Sequence, residues 1–261
     1  MLIAIPVVIL LALGAGGANA DAPVPKLDGP GVVEYPADGQ WTQSTRFIVN
    51  GSRTADGGCE FSGEIKLRPG ETTIHQRERA YDPAKCRLLV EEGLPTEPEG
   101  TDAAGMQGIS DLQAVNVKAD ASEAAAATGT HSAGYLKSYY HDPLHLTVNE
   151  VKNTVDWWWN GTCVYGTVYL GGYYNWLGLT GWSLESQNWQ YDAECLQAYS
   201  SSYAHYENPI FCAGQTTHTY YDRNTVWGLF DRWLYGQWNA YKSGGCNWLL
   251  HFHHSLTRTL N

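Results

Sequence analysis

Val155-Asp156-Trp157-Trp158-Trp159-Asn160-Gly161-Thr162-Cys163-Val164-Tyr165 sets two β-prone runs on either side of an Asn-Gly pair. Asn-Gly between such runs is the strongest short hairpin signal, because a two-residue turn of this kind needs positive φ at both positions. The pattern predicts two antiparallel strands in which Trp159 faces Thr162, Trp158 faces Cys163 and Trp157 faces Val164. Neighbouring strand residues point to opposite faces. Trp157 and Trp159 therefore share one face, and Trp158 takes the other. Either the strand is covered on both sides, or one side shows bare indole.

Other strands follow on both sides of this hairpin. Tyr199 to Tyr206, Tyr220 to Phe230 and Trp233 to Tyr241 read as strands, and Asp231-Arg232 separates the last two. Trp248, Leu250, Phe252, Leu256 and Leu260 form one row of a closing strand. Toward the N-terminus, Cys59, Phe61, Ile65 and Leu67 share a parity, and Cys86, Leu88 and Val90 alternate after an Asp82-Pro83 turn. Many short strands with Gly and Asn turns point to an all-β fold, an antiparallel β-sandwich or a barrel-like closure.

Composition divides the 261-residue chain. Residues 1–20 read as a signal peptide: an apolar run over 1–13, then small residues ending Ala18-Asn19-Ala20, with cleavage expected before Asp21. The run is shorter than the roughly 20 apolar residues of a membrane span, so no stable span is expected after cleavage. It departs from the usual export pattern in having no Lys or Arg before the apolar run. Residues 21–92 form an N-terminal β segment. Residues 93–134 contain no aromatic residue and are rich in Ala and Gly, which predicts a linker or long loop with one short helix over Ala119–Ala127. Residues 135–261 form an aromatic-rich β domain with ten of the 11 Trp and fifteen of the 17 Tyr. Length permits two domains or one sheet system with a long insertion.

The six cysteines all follow residue 20, and none forms a Cys-x-x-Cys pair of the kind that zinc ribbons and redox motifs use. Spread cysteines in an exported chain read as disulfides. The alternating strands around Cys59 and Cys86 pair those two. Sequence proximity favours Cys163–Cys195 and Cys212–Cys246. The expected location is extracellular.

A net charge of −11 with 16 Lys plus Arg excludes a nucleic-acid binder of the basic-patch kind. Aromatic density beside low charge points instead to a ligand met outside the cell, glycan or cell-envelope material, since indole faces stack on sugar rings. The candidates for contact are Trp157, Trp158 and Trp159, then Tyr174, Trp176 and Trp182 in a Gly-rich stretch that reads as a loop. His251 and His253 alternate on a strand and could share a metal, but sequence assigns no third ligand. They are taken as polar surface histidines, as are His141 and His145 in His141-Asp142-x-x-His145. No nucleophile elbow, zincin motif or phosphate loop occurs, so neither a catalytic residue nor a cofactor is assigned. Nine carboxylates between Asp142 and Asp231 keep a secreted hydrolase as one alternative, without a spacing that selects a pair. A structural or surface-coat protein is the other. Asn50-Gly51-Ser52 and Asn160-Gly161-Thr162 match the glycosylation pattern and are read as turns.

Tyr81-Asp82-Pro83-Ala84-Lys85-Cys86 with Glu91-Glu92-Gly93 forms one half of a further pattern. Trp157 to Val164, Ser201-Ser202-Tyr203-Ala204-His205, Tyr220-Tyr221-Asp222-Arg223, Gly244-Gly245-Cys246 and Arg258-Thr259 form the other. Across most of the mature chain this resembles a group of uncharacterised secreted proteins from actinobacteria, with looser likenesses in fungi. The resemblance implies an extracellular β-rich protein and carries no catalytic residues.

Overall fold

In the computed structural model, residues 24–35, 41–95, 105–118 and 130–260 are described. The expected signal peptide over 1–20 and the expected helix over 119–127 lie outside them.

The described chain is built from strands: β1 (Val33–Glu34), β2 (Trp41–Asn50), β3 (Ser52–Arg53), β4 (Cys59–Leu67), β5 (Thr73–Asp82), β6 (Arg87–Pro95), β7 (Gln107–Val117), β8 (Thr130–His141), β9 (Thr147–Trp159), β10 (Val164–Trp176), β11 (Ser183–Glu194), β12 (Gln197–Cys212), β13 (Gln215–Leu229), β14 (Leu234–Gly244) and β15 (His251–Leu260). They form two antiparallel sheets. The first runs β2-β6-β5-β15-β8-β9-β10-β7, with β1 on a further stretch of β5; the second runs β11-β12-β13-β14-β4-β3. The N-terminal and aromatic-rich segments interleave, because β4 pairs with β14 and β5 with β15. They therefore make one sheet system, folded as an all-β sandwich.

The expected parity holds on β4, where Cys59, Phe61, Ile65 and Leu67 are all buried. Cys86, Leu88 and Val90 are buried as well, but Leu89 between them is covered on the other face of β6. Two apolar clusters fill the space between the sheets. One centres on Trp238, Phe61, Tyr140, Tyr221 and Phe252, the other on Trp157, Ile65, Leu136, Leu170 and Leu234. A polar seam also crosses the interior. Asn224 donates to Asn153 Oδ1 at 2.9 Å, Asn153 donates to Ser200 and Ser202 at 2.8 and 2.9 Å, and Ser138 donates to Asn224 Oδ1 at 2.5 Å. Such a network fits one alignment of the sheets, since a slip would strand buried polar groups. Lys242 on β14 reaches Glu78 on β5 at 3.1 Å, both buried. Cys59–Cys86, Cys163–Cys195 and Cys212–Cys246 are bonded.

Four expectations change. The hairpin register is Trp159↔Val164 and Trp158↔Tyr165, so the loop has four residues rather than two. The Asn160 side chain explains it: its Oδ1 accepts from the Thr162 and Cys163 amides at 3.0 and 2.7 Å, and only Gly161 takes positive φ. Within the stretch read as a linker, residues 107–117 form β7, paired along its length with β10. Its side chains are mostly exposed, so backbone bonds rather than apolar residues hold it to the edge. Tyr173 to Trp176 lie on β10 rather than on a loop. The nearby Gly172 has a packing cause, because a Cβ there would meet Trp189 at 2.8 Å. Finally, Trp248 precedes β15 in a short 3₁₀ turn and is exposed, as is Leu260, while Leu250, Phe252 and Leu256 are buried.

Candidate ligand-binding face

The residues singled out from sequence do not share a surface. Trp157 is fully buried and donates from Nε1 to the Leu229 carbonyl at 3.1 Å. Tyr174 is fully buried, with its hydroxyl 3.0 Å from Ser202 Oγ. Trp182 is buried against Phe211. None of these three rings can meet a sugar, because the opposite sheet and the adjoining turn cover them. Trp159 is half-buried under the Arg232 guanidinium, and Trp176 is half-buried beside Tyr206. Trp158 alone of the six is exposed, at 39%, and His131 stacks on it at 4.6 Å. The alternation inferred for the triple Trp holds, but its outcome is a strand end with one exposed indole, stacked against His131, rather than a platform.

The aromatic surface lies on the other sheet. Along β12, Ala198, Ser200, Ser202, Ala204 and Tyr206 point inward and are buried, while Tyr199, Tyr203 and His205 take the opposite face and are half-buried. From Ala198 to Ala204 this inverts the usual pattern, in which the larger apolar groups take the covered face; Tyr206 restores it at the next inward position. Small residues suffice inside because Trp189, Asn153 and Tyr174 already occupy the space above them.

Cross-strand register extends the outward rings into two rows. Tyr199 lies opposite Trp227, and Trp227 opposite Tyr235. Their centroids are 6.4 and 5.3 Å apart at interplanar angles of 40° and 62°. Lys66 on β4 caps the row, 4.8 Å from the Tyr235 ring. In the second row His205, Tyr220 and Tyr241 stack nearly parallel, with centroids 4.2 and 4.1 Å apart. A stacked row covers its own faces and turns its polar edges outward. A tilted row leaves ring faces uncovered.

Roughly 20 Å separates the rows along β13 at about 3.3 Å per residue. Polar groups fill the interval. Ser201 and Thr225 hydroxyls lie 2.6 Å apart, Arg223 donates to Gln237 Oε1 at 3.1 Å, and Asn239 donates to Glu60 Oε1 at 2.6 Å. A β-bulge between Tyr221 and Arg223 puts Asp222 on this face. Lost hydration, and then the Glu60 charge, hold the Asp222 carboxyl above its ordinary value. Burial first, then His218, holds His205 below its own. Lost hydration also raises the Tyr220, Tyr235 and Tyr241 hydroxyls, so these rings stay neutral at physiological pH.

Sequence reasoning placed strands over these residues without separating out their rings. The signal was present as one small and one aromatic parity in Tyr199 to His205. Parity alone does not say which of two faces meets water.

Of the four histidines expected on the surface, His145 is exposed and His141 half-buried, whereas the other two differ. His251 and His253 are buried, at 2% and 4% exposure, rather than on the surface. The register His251↔His141 brings them beside His141, and His145 follows on the next turn. Comparison with protein-family models, curated proteins and solved structures finds no match to this chain. Among the described residues no helix is long and apolar enough to cross a membrane.

Proposed function

We propose that the protein is an exported glycan-binding protein whose contact surface is the outer face of the six-stranded sheet. The observation that carries this reading is the inversion over Ala198 to His205 of β12, which leaves Tyr199, Tyr203 and His205 half-exposed on the outer face over Ala198, Ser200, Ser202 and Ala204. A sugar ring offers an apolar face to an aromatic ring and hydroxyls to polar groups beside it. The tilted row of Tyr199, Trp227 and Tyr235 supplies ring faces; Gln237, Asn239 and Asp222 supply polar partners. Glu60, Glu64, Glu207 and Asp222 outnumber Lys66 and Arg223 here, which favours a neutral polysaccharide over an anionic one. Three disulfides are compatible with function outside the cytoplasm.

The test is retention on insoluble chitin, cellulose and peptidoglycan. The expected result is retention on at least one, weakened about tenfold by Trp227→Ala with the fold intact, since an aromatic contact is worth about 1.4 kcal/mol. No retention on any of the three, or Trp227→Ala binding like the parent, overturns the reading.

A hydrolytic reading draws on Asp222, whose raised carboxyl beside Glu60 suits a general acid. Release of reducing ends that Asp222→Asn abolishes would favour it over binding alone.

A further inference from the structure

We propose that His141, His251 and His253 form a binding site for one divalent transition-metal ion of the zinc class, on the sheet opposite the aromatic face. The site follows from register. His251 and His253 stand two apart on β15, so both rings leave the same face. The antiparallel pairing sets His141 of β8 directly across from His251. Three imidazoles therefore converge from two neighbouring strands. Their ligating nitrogens all lie within 4.8 Å of one another, and the His141–His253 ring centroids are 4.4 Å apart.

The chemistry fits this class of ion. Three crowded imidazolium cations would repel one another, whereas three neutral imidazoles offer three lone pairs to one cation. A tetrahedral ion with metal–nitrogen distances near 2.0–2.1 Å holds its ligand nitrogens about 3.3 Å apart. The rings reach that spacing by closing at most about 1.5 Å, within the range of small side-chain rotations. A donor set of nitrogen alone selects Zn²⁺, Cu²⁺, Ni²⁺ or Co²⁺ over Mg²⁺ and Ca²⁺.

The rings are also held in place. The Tyr139 ring stacks on His253 at 5.0 Å and 9°, and the Tyr35 ring packs on His251 at 5.2 Å. Thr147 Oγ1 sits 3.2 Å from His141 Nε2, so His141 would present Nδ1 to the ion. Groups that fix the orientation of a ligating imidazole are the usual companions of such sites. Three histidines leave a fourth position for water or for His145, whose ring packs 5.8 Å from that of His251. Two sequence motifs, each short of a third ligand, thereby complete one another.

The experiment uses the untagged, disulfide-bonded protein after chelator treatment. It is titrated with Zn²⁺ in a calorimeter and with Co²⁺ in a spectrophotometer. The expected result is one equivalent per chain, cobalt absorption of a four-coordinate site, and a thermal midpoint raised by Zn²⁺ but not by Mg²⁺. His141→Gln and His253→Gln should each weaken binding at least tenfold. Should the buried His253→Gln fail to fold, His141→Gln at the strand end decides. Uptake of no metal by the folded parent, or unchanged affinity in His141→Gln, overturns the proposal. Polysaccharide retention by His141→Gln reads the aromatic face separately.

Discussion

Glu91 on β6 meets three guanidinium groups from the two strands beside it. Arg77 approaches to 2.8 Å, Arg46 to 3.3 Å and Arg79 to 3.6 Å. Lost hydration pushes the carboxyl up. Arg77 and then Arg46 and Arg79 outweigh that effect and hold it below its ordinary value of 4.5. A carboxylate with a depressed folded value stabilises the fold above its unfolded value, and that contribution drains away as pH falls. The thermal midpoint should therefore drop below about pH 4.5, and Glu91→Gln should flatten this part of the profile while lowering the midpoint at neutral pH. Thermal melts of both proteins across that range check it, and a parallel shift of the two profiles would remove Glu91 as the cause. Nothing in Glu91-Glu92-Gly93 announces such a cluster, because its partners come from other strands.

Single strands carried their own evidence unevenly. β4 was legible because one face is buried, so apolar residues recur every second position. β7 was not, because an edge strand can be held by backbone bonds to its neighbour while its side chains stay polar. On β13 the glycine at position 228 is required by packing. The six-membered ring of Trp157 lies over it, so that a Cβ there would come within 2.5 Å of Trp157 Cδ2. Gly228→Ala should cost about 1–3 kcal/mol through forced displacement of the indole. Urea unfolding measures the loss, and a neutral result would mean that Trp157 has room to move. The candidate face belongs to the same scale. The aromatic parity of β12 was readable, but its outward direction depended on what the facing strands brought to the interior.

The whole molecule is tied by three disulfides with sequence separations of 27, 32 and 34 residues. The chain-entropy model depends only logarithmically on loop length, so each bond should contribute about 3.5 kcal/mol and the three should be nearly equal. Paired Cys→Ala replacements, one bond at a time, followed by denaturant unfolding, test this. A markedly larger loss at one bond would show that it does more than restrict the unfolded chain. The pairing of β4 with β14 and β5 with β15 joins distant parts of the sequence into both sheets. Strand content, strand parity and the Cys59–Cys86 pair could be read from the chain because they follow from local alternation, whereas proximity only favoured the other two bonds. The aromatic face and the meeting of His141 with His251 and His253 came only with folding. Both depend on which strand lies beside which, and on which side of a sheet meets water, and such long-range pairings leave no periodic trace in a single chain.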